Sequence, residues 1–167
     1  MDTECRLPLW KMIDVGGMTV DELIKELAKK KFSTSAWANE LICHPSFVVN
    51  TIPKRTRLML ATPHELEFTN KLSPPTLEQI IERAQLRQLR DCSGEVGLYT
   101  RLNTPTQKKN ERLWIASKPL PDAHNYPNLF CVGRNDDDEC WLGAGSASGT
   151  WPLDTKFLFT VDDTVFM

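Results

Sequence analysis

The apolar residues of this chain change period near its middle, and that change limits the folds open to it. Before Cys92 they recur at helical spacing behind helix-start signals. "MTVDELIKELAKKKF" places Thr19 and Glu22 as a capping box, with Leu23, Ile24 and Leu27 as its apolar stripe. Trp37 with Leu41, and Ala38 with Ile42, define a second helix from about Ser35 to Cys43, ended by His44-Pro45. "TPHEL" repeats the start signal with Thr62, Pro63 and Glu65. Thr76 and Gln79 cap the longest predicted helix, residues 77–90, whose buried face is Leu77, Ile80, Ile81 and Ala84.

From Gly94 onward the segments are short and rich in aromatic and β-branched residues. "EVGLYTRLN", "ERLWIASKPL", "NLFCVGR", "ECWLG" and "KFLFTV" are separated by turn residues, as antiparallel neighbours require. Helices first and strands afterwards predict one α+β domain, with the helices on one face of an antiparallel sheet of about four or five strands. Its mainly helical part is residues 18–92 and its mainly stranded part 93–167. "SFVVN" reads as a short strand or an extended connection. Residues 1–17 read as an extension upstream of a start at Met18, or as an ordered arm that packs Leu9 and Trp10.

Composition narrows the function classes. The 167 residues carry a net charge of -2, and the split at Cys92 gives 13 basic and 12 acidic residues before it against 7 and 10 after it. Neither part has the basic excess of a duplex-DNA binder. No apolar run is long enough for a membrane helix, and the start lacks the pattern of a secretory signal. Five irregularly spaced cysteines fit reduced thiols and a cytoplasmic location.

"CVGRNDDDECWLGAGSASGTW" reads as a hairpin tip and connector. Asp136, Asp137, Asp138 and Glu139 are contiguous, without the alternation and glycine of a calcium loop. Cys131 and Cys140 lack a second ligand pair for zinc, although a turn at Asn135-Asp136 would let them face each other. No lysine or helix start follows the glycines, as a phosphate loop needs. No metal or cofactor is therefore expected. The histidines His44, His64 and His124 lie in separate contexts, and no diagnostic hydrolase motif is present. Arg83, Arg87 and Arg90 form a basic stripe that reads as the solvated face of the long helix. Trp141, Trp151, Phe157 and Phe159 read as core or sheet-edge packing.

Strand parity supplies the candidate surface. If "EVGLYTRL" and "RLWIASK" are neighbouring strands with their apolar rows toward the helices, Glu95, Tyr99, Arg101, Arg112, Trp114 and Lys118 share the outer face. Such a face suits a non-enzymatic binding module for a protein partner or an anionic, ring-bearing ligand such as RNA or a nucleotide. A second reading is a metal-independent endoribonuclease, with Glu95 as general base and Arg101 steadying the phosphate. A third is a self-associating structural protein.

"TPHELEF", "CSGEVGLYTRL", "ERLWIASKPL" and the closing Trp151, Phe157 and Phe159 resemble segments of a group of small uncharacterised bacterial proteins. The likeness runs over about residues 18–161 and implies a bacterial, cytoplasmic protein whose core starts at Met18. It departs at "NTPTQKKN" and at Trp114, and it implies no catalytic residues.

Overall fold

The computed structural model describes residues 9–161. The first eight residues of the expected extension or arm, Cys5 among them, and residues 162–167 of the stranded part lie outside that range. In chain order the elements are β1 (Leu9–Val15), α1 (Val20–Lys29), β2 (Ser33–Thr34), α2 (Ala36–Cys43), β3 (Lys54–Ala61), α3 (Leu77–Gln85) and β4 (Leu89–Arg90). Then follow α4 (Val96–Leu102), β5 (Arg112–Ile115), β6 (Leu120–Pro121), β7 (Pro127–Arg134), β8 (Cys140–Ser146) and β9 (Phe157–Val161). The class is α+β, as expected.

The sheet is larger than expected and mixed. Nine strands take part among the described residues, in the order β1-β3-β9-β5-β7-β8-β2, with β4 added on β9 and β6 on β7. β5 runs parallel to β9, β2 runs parallel to β8, and the other pairs are antiparallel. Two long strands lie outside the part read as stranded: β1 in the expected extension or arm, and β3 in the part read as helical. β1 pairs with β3, and its Ile13 and Val15 are buried in the core. β3 opens with Lys54, Arg55, Thr56 and Arg57, and this polar start hides its strand pattern.

Strand alternation divides the core in two. Leu58, Leu113, Ile115, Phe130, Val132, Leu142 and Leu158 meet the buried faces of α1, α2 and α4. Met59, Ala61, Leu129, Phe157 and Phe159 meet Leu77, Ile80 and Ala84 of α3, together with Trp151. The helices are therefore shared between two clusters rather than gathered in one.

Local signals behave as the sequence suggests where they are strong. Thr19 with Glu22, and Thr76 with Gln79, form reciprocal capping boxes. Thr62 and Glu65 exchange the same two bonds but open only a turn. α3 stops at Gln85, five residues before its predicted end, because Gln88 takes a left-handed conformation (φ 67°) and the chain enters β4. "SFVVN" belongs to no strand.

The largest correction concerns "EVGLYTRL", which is helix α4 and not a strand. All seven of its residues are buried, so it carries no solvent face to mark a helical period. Over so short an apolar run, alternation and helix cannot be told apart. Gly97 lets α4 approach β7. A Cβ there would lie 2.8 Å from Phe130 Cβ and 3.0 Å from its ring.

Two effects oppose each other in Gly97→Ala. Alanine gains about 1 kcal/mol of helix propensity, while overpacking costs about 1–3 kcal/mol. The expected net result is a loss of about 1 kcal/mol, seen as a lower urea midpoint at unchanged slope. A raised midpoint would show that α4 has room to move off β7.

Candidate aromatic groove on the sheet

The sequence-predicted residues separate into three places. Glu95, Tyr99 and Arg101 are carried inward by α4 and are at most 3% exposed. The Glu95 carboxylate accepts from the backbone amide of Asn50 and from its side-chain amide. Burial raises its pKa, and the Asn50 bonds offset part of that rise. The Tyr99 hydroxyl accepts from the Met18 amide at 3.1 Å, and burial raises its pKa too.

Arg101 is a wholly buried cation that reaches the β7–β8 hairpin. Its Nη1 donates to Gln107 Oε1 at 2.9 Å, Gly133 O at 3.0 Å and Trp141 O at 3.1 Å, while Nη2 donates to Thr104 O at 2.6 Å. The Phe32 ring lies 4.9 Å from the guanidinium carbon. Among the described residues no carboxylate pairs with it, and burial lowers its pKa. Carbonyl dipoles and a ring face hold the charge instead. Lys11 and Lys30 donate to the carbonyls of Asn103 and Leu102 at the same helix end, where the helix dipole favours cations. Burial, then the nearby Arg101 charge, lower the pKa of Lys11. Glu95 and Arg101 thus have separate partners and no access to solvent, so the general base and phosphate grip assigned to them do not assemble.

Arg112 and Trp114 do share an open face. β5 aligns Arg112 with Gly133 and Trp114 with Cys131, and β7 aligns those two residues with Trp141 and Gly143 of β8. The Arg112 guanidinium carbon lies 5.3 Å from the Trp141 ring centre and 6.0 Å from that of Trp114. No carboxylate among the described residues pairs with it.

Glycines make room for both indoles. A Cβ on Gly133 would sit 2.1 Å from the Trp141 ring, and one on Gly145 would sit 2.6 Å from the Trp114 ring. At Gly143, between them in sequence, a Cβ would meet Trp141 at 3.0 Å and Cys131 Sγ at 3.5 Å. Trp141 Nε1 donates to Asn135 Oδ1 at 2.9 Å, which fixes one ring. Trp114 stands edge-on to Trp151 at 4.9 Å, which supports the other.

A groove of about 700 Å³ lies over this face. Ser33, Thr34 and Trp37 line it from β2 and α2, and Glu139 lines it from the hairpin tip. Asp122 fixes Trp37: its Oδ2 accepts from the indole Nε1 at 3.2 Å and from Asn128 Nδ2 at 3.2 Å. Its Oδ1 accepts from the amides of His124 and Tyr126. Burial alone would raise the Asp122 pKa, but these four donors outweigh it and hold the carboxyl below its usual range. At the floor, burial outweighs the pull of Arg112 and pushes the Cys131 thiol up to about 12, so it stays neutral near pH 7.

Trp141 was assigned to packing, yet it is half-buried and forms one side of the groove. The glycine opposite it, Gly133, is identified only by the β7–β8 register, so no local signal marked it. Lys118 lies elsewhere, in a second cleft of about 760 Å³ with Glu78, Glu82 and Asp91. Cys131 pairs with Gly143 and Cys140 with Arg134, because the tip spans Asn135 to Glu139 rather than two residues. The two thiols do not face each other. The arginine stripe is also divided: Arg83 donates to Leu66 O and covers Phe68, and Arg87 pairs with Glu67.

Together these features define an α+β protein with an open aromatic and cationic groove on one face of a mixed sheet. Compared with protein families, curated proteins and solved structures, the chain matches none. Among the described residues no group of three or more His, Cys, Asp or Glu is placed to hold a metal, and no helix is long and apolar enough to cross a membrane.

Two outcomes follow for the supports of the groove. Arg101→Met leaves the Gly133, Trp141 and Thr104 carbonyls without their donor and should cost about 2–5 kcal/mol in urea unfolding. Arg101→Lys should recover little, since an ammonium lacks the fork that spans those acceptors. For Asp122 the folded pKa is depressed. Its stabilisation is therefore present above the unfolded value of about 3.9 and is lost as pH falls through the lower folded value. Wild type should lose more stability than Asp122→Asn on acidification from about pH 5 to pH 2. Equal losses would show that the four donors do not favour the ionised form.

Proposed function

We propose that this protein is a binding module whose working surface is the β5–β7–β8 face, and that its ligand carries a flat ring and a negative charge. The observation that carries the reading is Arg112 set against both Trp114 and Trp141, open to solvent and, among the described residues, without a carboxylate partner. An exposed guanidinium over an indole gains only about 0.5–1 kcal/mol. It therefore remains available to an incoming anion, which two parallel N–H donors can grip.

The glycine seats add to the argument. Gly133 and Gly145 leave space that the two indoles occupy, and that packing keeps broad ring surfaces in place along the sheet. Stacking on such a surface contributes about 1–3 kcal/mol per ring. The neutral Cys131 thiol beneath adds no charge to repel an anion.

The test is to purify the protein at low salt, denature it and identify what is released by mass spectrometry. A ring-bearing anion should come from wild type and be absent from Arg112→Met and Trp114→Ala. Equal recovery from all three proteins would place the ligand elsewhere and overturn the proposal.

A further inference from the structure

Resting on that reading, we infer that the groove takes a single nucleotide, a planar base with a ribose and one phosphate, rather than a nucleic-acid strand. Size is the first argument. The groove of about 700 Å³ falls in the range of small-molecule sites, about 300–1,000 Å³. A strand-binding surface would instead continue along a track of cations. Here Arg112 is the only cationic side chain lining the groove among the described residues. It provides for one phosphate and no second.

The surroundings oppose a longer polyanion. The β7–β8 tip brings Asn135 and Glu139 to the groove, and Asp136, Asp137 and Asp138 lie between them in the chain. Arg134 and Lys109 pair with Asp138, and the neutral Asn110 amide donates to Asp136, so among the described residues Asp136, Asp137 and Glu139 have no cation partner. A second phosphate carried toward this end meets carboxylates. A ribose does not. Its vicinal hydroxyls are donors, and Glu139, on the groove wall, is an acceptor-only group able to receive both.

The remaining lining suits the base. Beneath the indoles lie Gly143 and Cys131, both buried, so a planar ring would stack on the outer surfaces of Trp114 and Trp141 rather than on the strands. Ser33 and Thr34 offer hydroxyls at the β2 wall, where the edge of that ring ends. Hydroxyls both donate and accept, so they favour no particular base. Phosphate on Arg112, ring on the indoles and ribose on Glu139 divide the ligand among three chemically matched groups.

Tryptophan fluorescence titration tests the inference. The ligands are AMP, GMP, CMP and UMP, then adenosine, ribose 5-phosphate, 2′-deoxy-AMP, benzoate and an oligo(A) RNA of about eight nucleotides, a length typical of one single-strand site. Nucleoside monophosphates should quench. Adenosine and ribose 5-phosphate should each bind at least about tenfold more weakly, the loss of one phosphate grip or one stacked ring. Arg112→Met should make AMP and adenosine bind alike, and Glu139→Gln should remove the preference for AMP over 2′-deoxy-AMP. Both residues are exposed, so neither change threatens the fold. Tighter binding of oligo(A) than of AMP, with a log–log salt slope of about -2 or steeper, would overturn the single-nucleotide inference. So would a response to benzoate alone, although that result would leave the ring-and-anion reading standing. No Arg112-dependent response to any ligand would remove both.

Discussion

Strand β9 is buried on both faces, and the rest of the architecture follows from covering it. Phe157 and Phe159 need apolar partners on one side of the sheet and Leu158 needs them on the other. Both long edges of β9 are also paired, to β3 and to β5. The demand for cover is met unequally. Three helices join Leu158 in one cluster, whereas α3 and Trp151 serve the other. A helix of nine residues is about 14 Å long and about 10 Å wide, while seven strands span about 29 Å across a sheet. α3 cannot reach from β3 to β8. Among the described residues the far end of that face is covered mainly by what its own strands carry, two indoles and a guanidinium over three glycines, with Trp37 of α2 beside them.

Two arginines show how position decides use. Arg101 and Arg112 both bear on the β7–β8 hairpin, one from each side of the sheet. Arg101 spends its donors on backbone carbonyls and is closed to solvent, so it serves the shape of the hairpin. Arg112 is exposed and, among the described residues, is set against the rings of Trp114 and Trp141. Alternation along β5 was enough to place Arg112 outward, whereas nothing local revealed that Arg101 lay on a helix packed beneath.

That contrast explains how far the sequence was legible. Capping boxes are local, and Thr19, Glu22, Thr76 and Gln79 bond as their spacing suggests. Hairpin signals are nearly local, and β7 and β8 pair around the acidic tip. The α4 segment was not legible. A fully buried helix of seven residues has no polar face, and its pattern in "EVGLYTRL" coincides with strand alternation. β3 was hidden by the charged and polar residues at its start, and β1 by apolar residues on both faces, with Leu9 and Met12 exposed and Ile13 and Val15 buried. As for the groove, the sequence pointed to Arg112 and Trp114 but not to Trp141. The seat for its ring is an absent side chain on a neighbouring strand, and register alone determines which glycine that is.

Trp114 belongs to two environments at once. One side of its indole borders the groove, and the other continues through Trp151 at 4.9 Å to Phe157 at 5.1 Å from Trp151. The Trp114 wall of the groove is therefore continuous with the second core cluster. Whatever settles against Trp114 also braces the packing around β9, and loosening of that packing first unsettles the ring that a ligand would meet. Occupancy and fold integrity are linked equilibria through one shared side chain, so a molecule held here would act as a keystone for the side of the sheet that the helices leave thinly covered.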